Sequence, residues 1–194
     1  MNKEFLESLR DKPEVAYALK HLAESNLALH GEVTLEHFRG GKLLHTQTGK
    51  NTFTTEGMAR ILNVQFRAQA TDAAIYCGIY KNNITPALAN TAAACLGSGG
   101  TYGECLDADY DSPATNRPAY TMASTSTAVA TNAASKATFV MNASITVYGA
   151  FLASSQAKTA TTGTLFCAKN FAVARAVIAD DELSITYVIT LSTS

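Results

Sequence analysis

The clearest hydrophobic–polar pattern lies toward the end of the chain. Leu183, Ile185, Tyr187, Ile189 and Leu191 alternate with Ser184, Thr186 and Thr190. Period-two alternation of β-branched and aromatic residues predicts a strand with one buried face. Residues 136–141, 144–152 and 165–171 have the same strand character, with Ala, Ser, Thr, Gly and Asp in the connections. Residues 136–191 therefore predict half of an antiparallel sandwich.

Upstream the period changes. Val33, Leu35 and His37 alternate with Glu32, Thr34 and Glu36, Arg39-Gly40-Gly41-Lys42 supplies a turn, and Leu43, Leu44 and His45 return. This predicts a β-hairpin in which His37 and His45 face each other. Thr54-Thr55-Glu56-Gly57-Met58 opens a short helix with Met58, Ile61, Leu62 and Phe66 on one face, ending near Gln69. Residues 73–80 then predict a strand with Ile75, Cys77 and Ile79 on one side and Tyr76 and Tyr80 on the other. Residues 87–135 read as a long loop region with one strand candidate at 118–122, which implies exposed, contact-making surface.

Residues 1–29 have helical spacing instead. Phe5, Leu6 and Leu9 share a face; Asp11, Pro13 and Glu14 form a helix start; Val15, Leu19 and Leu22 continue the apolar stripe. Such a stripe either packs on its own domain or docks on a neighbouring subunit or another protein. The expected organisation is an N-terminal helical arm over 1–30 and a β-sandwich domain over 31–194. The sandwich would hold one short internal helix and a central loop region over about 87–135.

Composition narrows the classes. The chain has 194 residues, 47% hydrophobic and 16% charged, with a formal net charge of −1. That size suits one β domain, and there is no basic excess to attract nucleic acid or an anionic membrane. No apolar run of about 18 residues predicts a membrane-spanning helix. Residues 1–10 lack the apolar segment of a secretory signal, so export by that route is not expected. Cys77, Cys95, Cys105 and Cys167 lie in or beside apolar runs without paired short spacings, and read as buried free thiols.

Candidate chemistry is sparse. Asp107, Asp109 and Asp111 have the spacing that opens a calcium loop, but the sixth and twelfth positions hold Ser112 and Pro118 where Gly and Glu belong. They read as solvated charge. His21, His30, His37 and His45 lack metal-ligand spacing and read as surface or half-buried residues. Gly97-Ser-Gly-Gly100 is not followed by Lys-Ser/Thr, so it is not a phosphate cradle. No nucleophile elbow is present. Asn142-Ala-Ser144 matches the glycosylation triplet but falls within an expected strand. Glu104, Asp107 and Asp109 leave open a glycan-binding or glycan-cleaving reading, although Trp is absent. No metal, cofactor or enzymatic activity is expected.

The succession of features carries a resemblance. A Gly41-Lys42-Leu43 hairpin leads to Lys50-Asn51 and the helix residues Gly57-Met58-Ala59-Arg60-Ile61-Leu62. Ile75-Tyr-Cys-Gly-Ile-Tyr80 and Thr85-Pro86-Ala87 follow, and the chain closes with Tyr148-Gly-Ala-Phe-Leu152, Leu165-Phe-Cys-Ala-Lys-Asn-Phe171 and Asp180-Asp-Glu-Leu-Ser-Ile-Thr-Tyr187. Over residues 41–191 this order resembles the minor structural proteins of tailed-bacteriophage virions, notably jelly-roll cement or decoration proteins on the capsid exterior. The resemblance implies an antiparallel jelly-roll-like β-sandwich without catalytic chemistry. It also implies residence in the virion after assembly in the host bacterial cytoplasm, with the major capsid protein and further copies of the chain (a dimer or trimer) as partners. A tail, collar or fibre-attachment role is the alternative. Phe5, Leu6, Leu9, Val15, Leu19 and Leu22 are then the expected docking or assembly residues.

Overall fold

A computed structural model describes residues 27–123 and 127–193. The strands are β1 (Leu27–Arg39), β2 (Lys42–Lys50), β3 (Thr52–Phe53), β4 (Tyr76–Tyr80), β5 (Tyr110–Ser112), β6 (Val129–Thr131), β7 (Ala137–Met141), β8 (Ile145–Ala153), β9 (Leu165–Val177) and β10 (Asp181–Thr193). Helix α1 spans Thr55–Phe66 and α2 spans Ala92–Cys95. All strand pairs are antiparallel. One sheet has the order β2-β1-β10-β7-β5, with β6 also paired to β10; the other has the order β3-β9-β8-β4. The long-range pairs are nested in sequence: β1 with β10, β3 with β9, β4 with β8, and β5 with β7.

The sheets face each other across one apolar core. Leu35 of β1, Phe139 of β7 and Leu183, Ile185 and Tyr187 of β10 meet Cys77, Ile79, Ala150, Leu152 and Cys167 of the second sheet. In β8 the buried inner positions are Val147, then Ala150 and Leu152. A register irregularity between Val147 and Gly149 accounts for the change from odd to even numbers, because one extra residue sends every later side chain to the opposite face. The four runs over 136–191 are strands, but they divide between the sheets: β7 and β10 in one, β8 and β9 in the other.

The second sheet is also apolar on its outer face. Tyr80, Phe151, Ala153, Leu165 and Ala168 point outward and pack against Ala92, Cys95, Leu96 and Tyr102. Tyr80 and Tyr102 stack at 4.7 Å between ring centroids. The region over 87–135, expected as exposed loop, thus supplies much of a buried third layer. Residues 118–122 do not form a strand. They cross the outer edge of β4 with a bridge between Tyr76 and Ala119 and two flanking backbone bonds, Cys77 N to Pro118 O and Tyr120 N to Ile75 O.

At the hairpin tip, Gly40 and Gly41 have φ of 55° and 75°. A two-residue turn between twisted strands requires such positive values, and His37 does lie opposite His45. At the other end of β1 the structure departs from the expected helix. Residues 27–29 are strand, because Leu27, Ala28 and Leu29 pair with Thr193, Ser192 and Leu191; this long-range pairing overrides local helical spacing. The rest of the arm, with Phe5, Leu6, Leu9, Val15, Leu19 and Leu22, lies outside the described residues. Asn142-Ala-Ser144 falls in the turn between β7 and β8, not within a strand.

Helix α1 starts as expected and is fastened to β9. Thr54 accepts a hydrogen bond from Gly57 N at 3.0 Å and donates its hydroxyl to Leu165 O, satisfying one of the free N–H groups at the helix start. Glu56 accepts from Leu165 N at 2.7 Å and from Ala92 N at 2.9 Å, so one carboxylate joins α1, β9 and α2. The expected apolar face is only partly buried: Met58 and Ile61 pack on the core, whereas Leu62 and Phe66 are 56% and 80% exposed. They project from the side that Gly57 and Met58 leave to solvent when the helix lies on β9.

Gly57 permits that approach. A Cβ there would lie 2.5 Å from Phe166 O and 2.6 Å from Phe166 Cα. Alanine improves helix propensity by about 1 kcal/mol, but a clash with strand backbone costs about 1–3 kcal/mol. Gly57→Ala is therefore expected to lower the thermal unfolding midpoint, and an unchanged or raised midpoint in calorimetry would contradict this packing.

Candidate functional site

The described domain offers two kinds of candidate site: buried charge clusters in the connections, and clefts along α1. In the central region, Glu104 and Arg117 form a bidentate pair at 2.6 and 2.8 Å, both side chains fully buried. Glu104 also accepts from Gly97 N at 2.8 Å. Arg117 donates to Ser155 O at 2.6 Å and Ala160 O at 3.1 Å, and its guanidinium lies 5.2 Å from the Phe151 ring centroid. Burial pushes the Glu104 carboxyl above its ordinary value, and Arg117 opposes that shift.

The acidic triplet is divided among different environments. Asp109 is buried and receives Lys81 Nζ at 2.7 and 3.0 Å and Leu106 N at 2.9 Å. Asp107 pairs with Lys158 Nζ at 2.9 Å and accepts from Thr115 N at 3.1 Å. The Lys158 ammonium is itself buried, donating to Tyr110 O at 2.8 Å and lying 3.6 Å from the Tyr110 ring centroid. Asp111, like Asp107, is exposed. The expectation of solvated charge fails for Asp109, which is buried against Lys81; Asp107 stays exposed at the surface although Lys158 pairs with it. With these cationic partners Glu104, Asp107 and Asp109 do not stand free to flank a sugar. Among the described residues no group of three His, Cys, Asp or Glu side chains is placed to hold a metal ion.

A second cluster joins the hairpin to the β9–β10 turn. Arg175 approaches His37 Nδ1 at 3.1 and 3.3 Å, and Asp181 Oδ2 lies 2.9 Å from His37 Nε2. Arginine can only donate, so this geometry places Nδ1 to accept from Arg175 and Nε2–H to donate to Asp181. Asp181 also receives Arg39 at 2.7 and 2.8 Å and Ile178 N at 2.9 Å. Hydrogen bonds from Arg39 above all hold its carboxyl well below the usual carboxylate range. His37, expected at or near the surface, is 1% exposed. Opposite it, burial and then the nearby Arg175 push His45 below its ordinary value. All four cysteines are buried and free, as expected.

Two clefts run along α1. The first, about 730 Å³, lies between the start of β1, the β2–β3 corner and α1, with Leu29, Phe53, Met58, Leu88 and Val188 in its walls. The second, about 580 Å³, is walled by Ile61, Val64, Ile75, Tyr120, Met122 and Phe166. At its rim Arg60 holds Asp72 at 2.9 Å through two nitrogens, fastening the segment after α1. The first cleft is also lined by His30, Glu32, Lys50, Asn51, Thr52 and Thr190, whereas the second is the more apolar of the two. Glu104, Asp109 and Asp181 already have their cationic partners. No described helix is long and apolar enough to cross a membrane. Sequence spacing could not reveal the charge clusters, whose members lie 13 to 144 residues apart.

Arg117→Met leaves the Glu104 carboxylate buried without its partner and is expected to cost about 3–5 kcal/mol. Adding Glu104→Leu in the same chain should recover part of that loss in urea unfolding; an equal or greater loss in the double variant would contradict the account. Asp181 predicts a pH dependence. Its folded-state pKa is depressed below an unfolded value of about 3.9. Its stabilisation is therefore fully present above the unfolded value and is lost as pH falls through the folded one. Between about pH 5 and pH 2 the wild type should lose more stability than Asp181→Asn; parallel curves would count against this role. No family model matches the chain, and no curated protein or solved structure matches it, so the functional reading rests on its own residues.

Proposed function

We propose that this chain is a structural protein of a tailed-bacteriophage virion, of the jelly-roll cement or decoration type. It binds the capsid exterior through the major capsid protein and stabilises the shell by bridging neighbouring subunits, with no chemistry of its own. The observation that carries this reading is the nested antiparallel pairing of β1 with β10, β3 with β9, β4 with β8 and β5 with β7. A jelly roll has that nesting, as a long hairpin rolled into two sheets. Here the second and third pairs share one sheet, and β2 and β6 are additions.

Fold alone does not select a function; the surface adds support. Leu62, Phe66, Leu88 and Met122 are each more than half exposed and lie on or beside α1 and its clefts. Exposed large apolar groups on a firmly packed domain are contact-making features. In this reading Phe5, Leu6, Leu9, Val15, Leu19 and Leu22, at helical spacing in the sequence, supply further partner contacts. A dimer or trimer would present several such surfaces together, and linked contacts raise avidity without any new chemistry. In this reading the protein resides in the virion, and neither nucleic acid nor membrane is a partner.

Electron microscopy of the assembled particle tests the assignment. Density repeated over the shell is expected; density confined to one vertex would favour a tail, collar or fibre-attachment role. Binding to undecorated capsids gives the residue-level test. Burying a Leu or Phe contributes about 1.5–3 kcal/mol, so Phe5→Asp, Leu6→Asp and Leu9→Asp combined should weaken binding by at least about 100-fold. Unchanged binding would overturn the role of these residues.

A further inference from the structure

We propose that the seam between β2 and β9 binds a partner polypeptide as an added strand, an extended segment with two acidic side chains four residues apart on one face. The inference rests on the described domain alone and does not depend on the virion reading.

The first observation is a pair of cations without counter-charges. Among the described residues, the Lys and Arg residues that are not exposed are Arg60, Arg117, Lys158, Lys169 and Arg175. Arg60 holds Asp72, Arg117 holds Glu104 and Lys158 holds Asp107. A cation drawn out of water is normally compensated in this way. Lys169 and Arg175 hold no carboxylate among the described residues, and both lie on one seam. Arg175 approaches His37 Nδ1, and His37 stands opposite His45 of β2, whose Nε2 is buried without a hydrogen-bond partner. Lys169 lies across Gly49 of β2: a Cβ there would fall 2.9 Å from Lys169 Cε and 3.1 Å from its Nζ. Neither β2 nor β9 contains Asp or Glu, whereas β2 also carries Lys42 and Lys50 at its ends. On neighbouring β1, Glu36 is held by Lys136, and Glu32 stands opposite Lys50.

An open strand edge beside these cations is the second observation. β2 ends the first sheet, with β1 on one side only, and none of its nine residues is buried. Asn51 N donates to Gly31 O, which sets the alternation of the antiparallel ladder. Gln47 and Gly49 therefore bond toward β1, while the N–H and C=O groups of Thr46 and Thr48 point away from it. β9 is also without a strand neighbour on this side after Ala168, where its pairing with β3 stops. Only the Gln47 amide reaches its backbone there, at Val173.

Edge and charge together select the occupant. Outward N–H and C=O groups are matched by another polypeptide backbone, which distinguishes an added strand from a polyphosphate. A second copy's β2 would set lysine against lysine, so the same charges that repel a self-match attract an acidic strand. His45 and Gly49 are four residues apart, about 13 Å of strand, and side chains at i and i+4 of a strand share a face. One acidic side chain beside His45 reaches Arg175, and a second beside Gly49 reaches Lys169. Main-chain bonds then supply affinity and the two carboxylates supply specificity.

The test is an NMR titration of the full chain with a blocked nine-residue peptide of alternating Thr and Val, with Glu at its third and seventh positions. Binding is expected, with slowed hydrogen exchange of the Thr46 and Thr48 amides. The analogue with Gln at both positions should bind about tenfold more weakly or worse, as should the Glu peptide to Lys169→Gln or Arg175→Gln. Lys169→Gln breaks no ion pair among the described residues, so its urea midpoint should match wild type and its result decides if Arg175→Gln unfolds. Thr48→Pro removes an outward N–H without touching the β1 ladder, a change edge strands accept, and should abolish binding. No binding, equal binding of the Gln peptide, full affinity in folded Lys169→Gln, or unchanged Thr46 and Thr48 exchange at saturation would each overturn the proposal. Tighter binding of a ten-nucleotide single-stranded DNA than of the Glu peptide would assign the seam to phosphate and overturn it as well.

Discussion

The second sheet has two apolar faces, and covering the outer one organises much of the molecule. Ala150 and Leu152 point into the inter-sheet core while Phe151 and Ala153 point the other way. In a two-layer sandwich the outward positions would meet water and be polar. Here Tyr80, Phe151 and Leu165 require a cover, which α2 and the segment around Tyr102 provide. An irregular cover brings a difficulty: its backbone N–H and C=O groups leave water without a regular ladder to receive them. The charged side chains resolve it. Glu104 takes Gly97 N, Arg117 takes Ser155 O and Ala160 O, Asp109 takes Leu106 N, and Lys158 takes Tyr110 O. Each cation or carboxylate thus meets an opposite charge and also satisfies backbone. A buried pair gains little net stability over an apolar replacement. Its effect here is to fix the path of the connections.

The same device works where strands are interrupted. Between its pairing with β7 and with β6, β10 has Ile185 O and Tyr187 N bonded to the side-chain amide of Asn132 at 3.1 and 2.8 Å. Gln47 does likewise for both backbone groups of Val173, at 2.7 and 3.0 Å, tying β2 to β9. Asp181 receives Ile178 N within the β9–β10 turn while also holding Arg39 and His37 from the hairpin. Side-chain amides and carboxylates thereby act as short pieces of ladder wherever regular pairing stops. The outer edge of β4 is closed by backbone instead, through Cys105 N to Ile79 O and Cys77 N to Pro118 O. β2 carries Lys42 and Lys50 at its two ends, so an antiparallel copy of itself would set like charges together.

These facts explain what the sequence could disclose. Strict alternation in β1 and β10, the Gly40-Gly41 turn and the Thr54 cap are local signals, and each gave its element because nearby residues decide it. The opposite placement of Ile79 and Tyr80 was legible for the same reason. Which sheet a strand joins was not, since β7, β8, β9 and β10 carry similar alternation whichever neighbour they meet. Residues 27–29 were misread because their helical spacing is local while their partners lie at 191–193. The central region looked like exposed loop because Gly, Asp and Asn are polar by composition. Its burial follows from pairing Glu104 with Arg117 and Asp109 with Lys81, and no period links such residues. The clefts were equally hidden, since each is made by segments brought together only in the folded chain.

Rigidity and exposure are therefore distributed unequally. The charge clusters and side-chain ladders fasten the hairpin tip, the β9–β10 turn and the outer layer, which suits those parts to hold shape. Along α1 the arrangement differs: Met58 and Ile61 are partly buried, Leu62 and Phe66 face solvent, and a cleft runs to either side of the contact with β9. Exposed apolar groups on a flexible segment would have to be ordered before they contributed to binding, at a cost in conformational entropy. Thr54, Glu56 and Gly57 already fix this helix against β9 and α2, so its surface is preorganised. The physical case for a binding role rests on that conjunction of an immobile support and uncovered apolar side chains, and it directs attention to α1 and the start of β1 rather than to the buried charges.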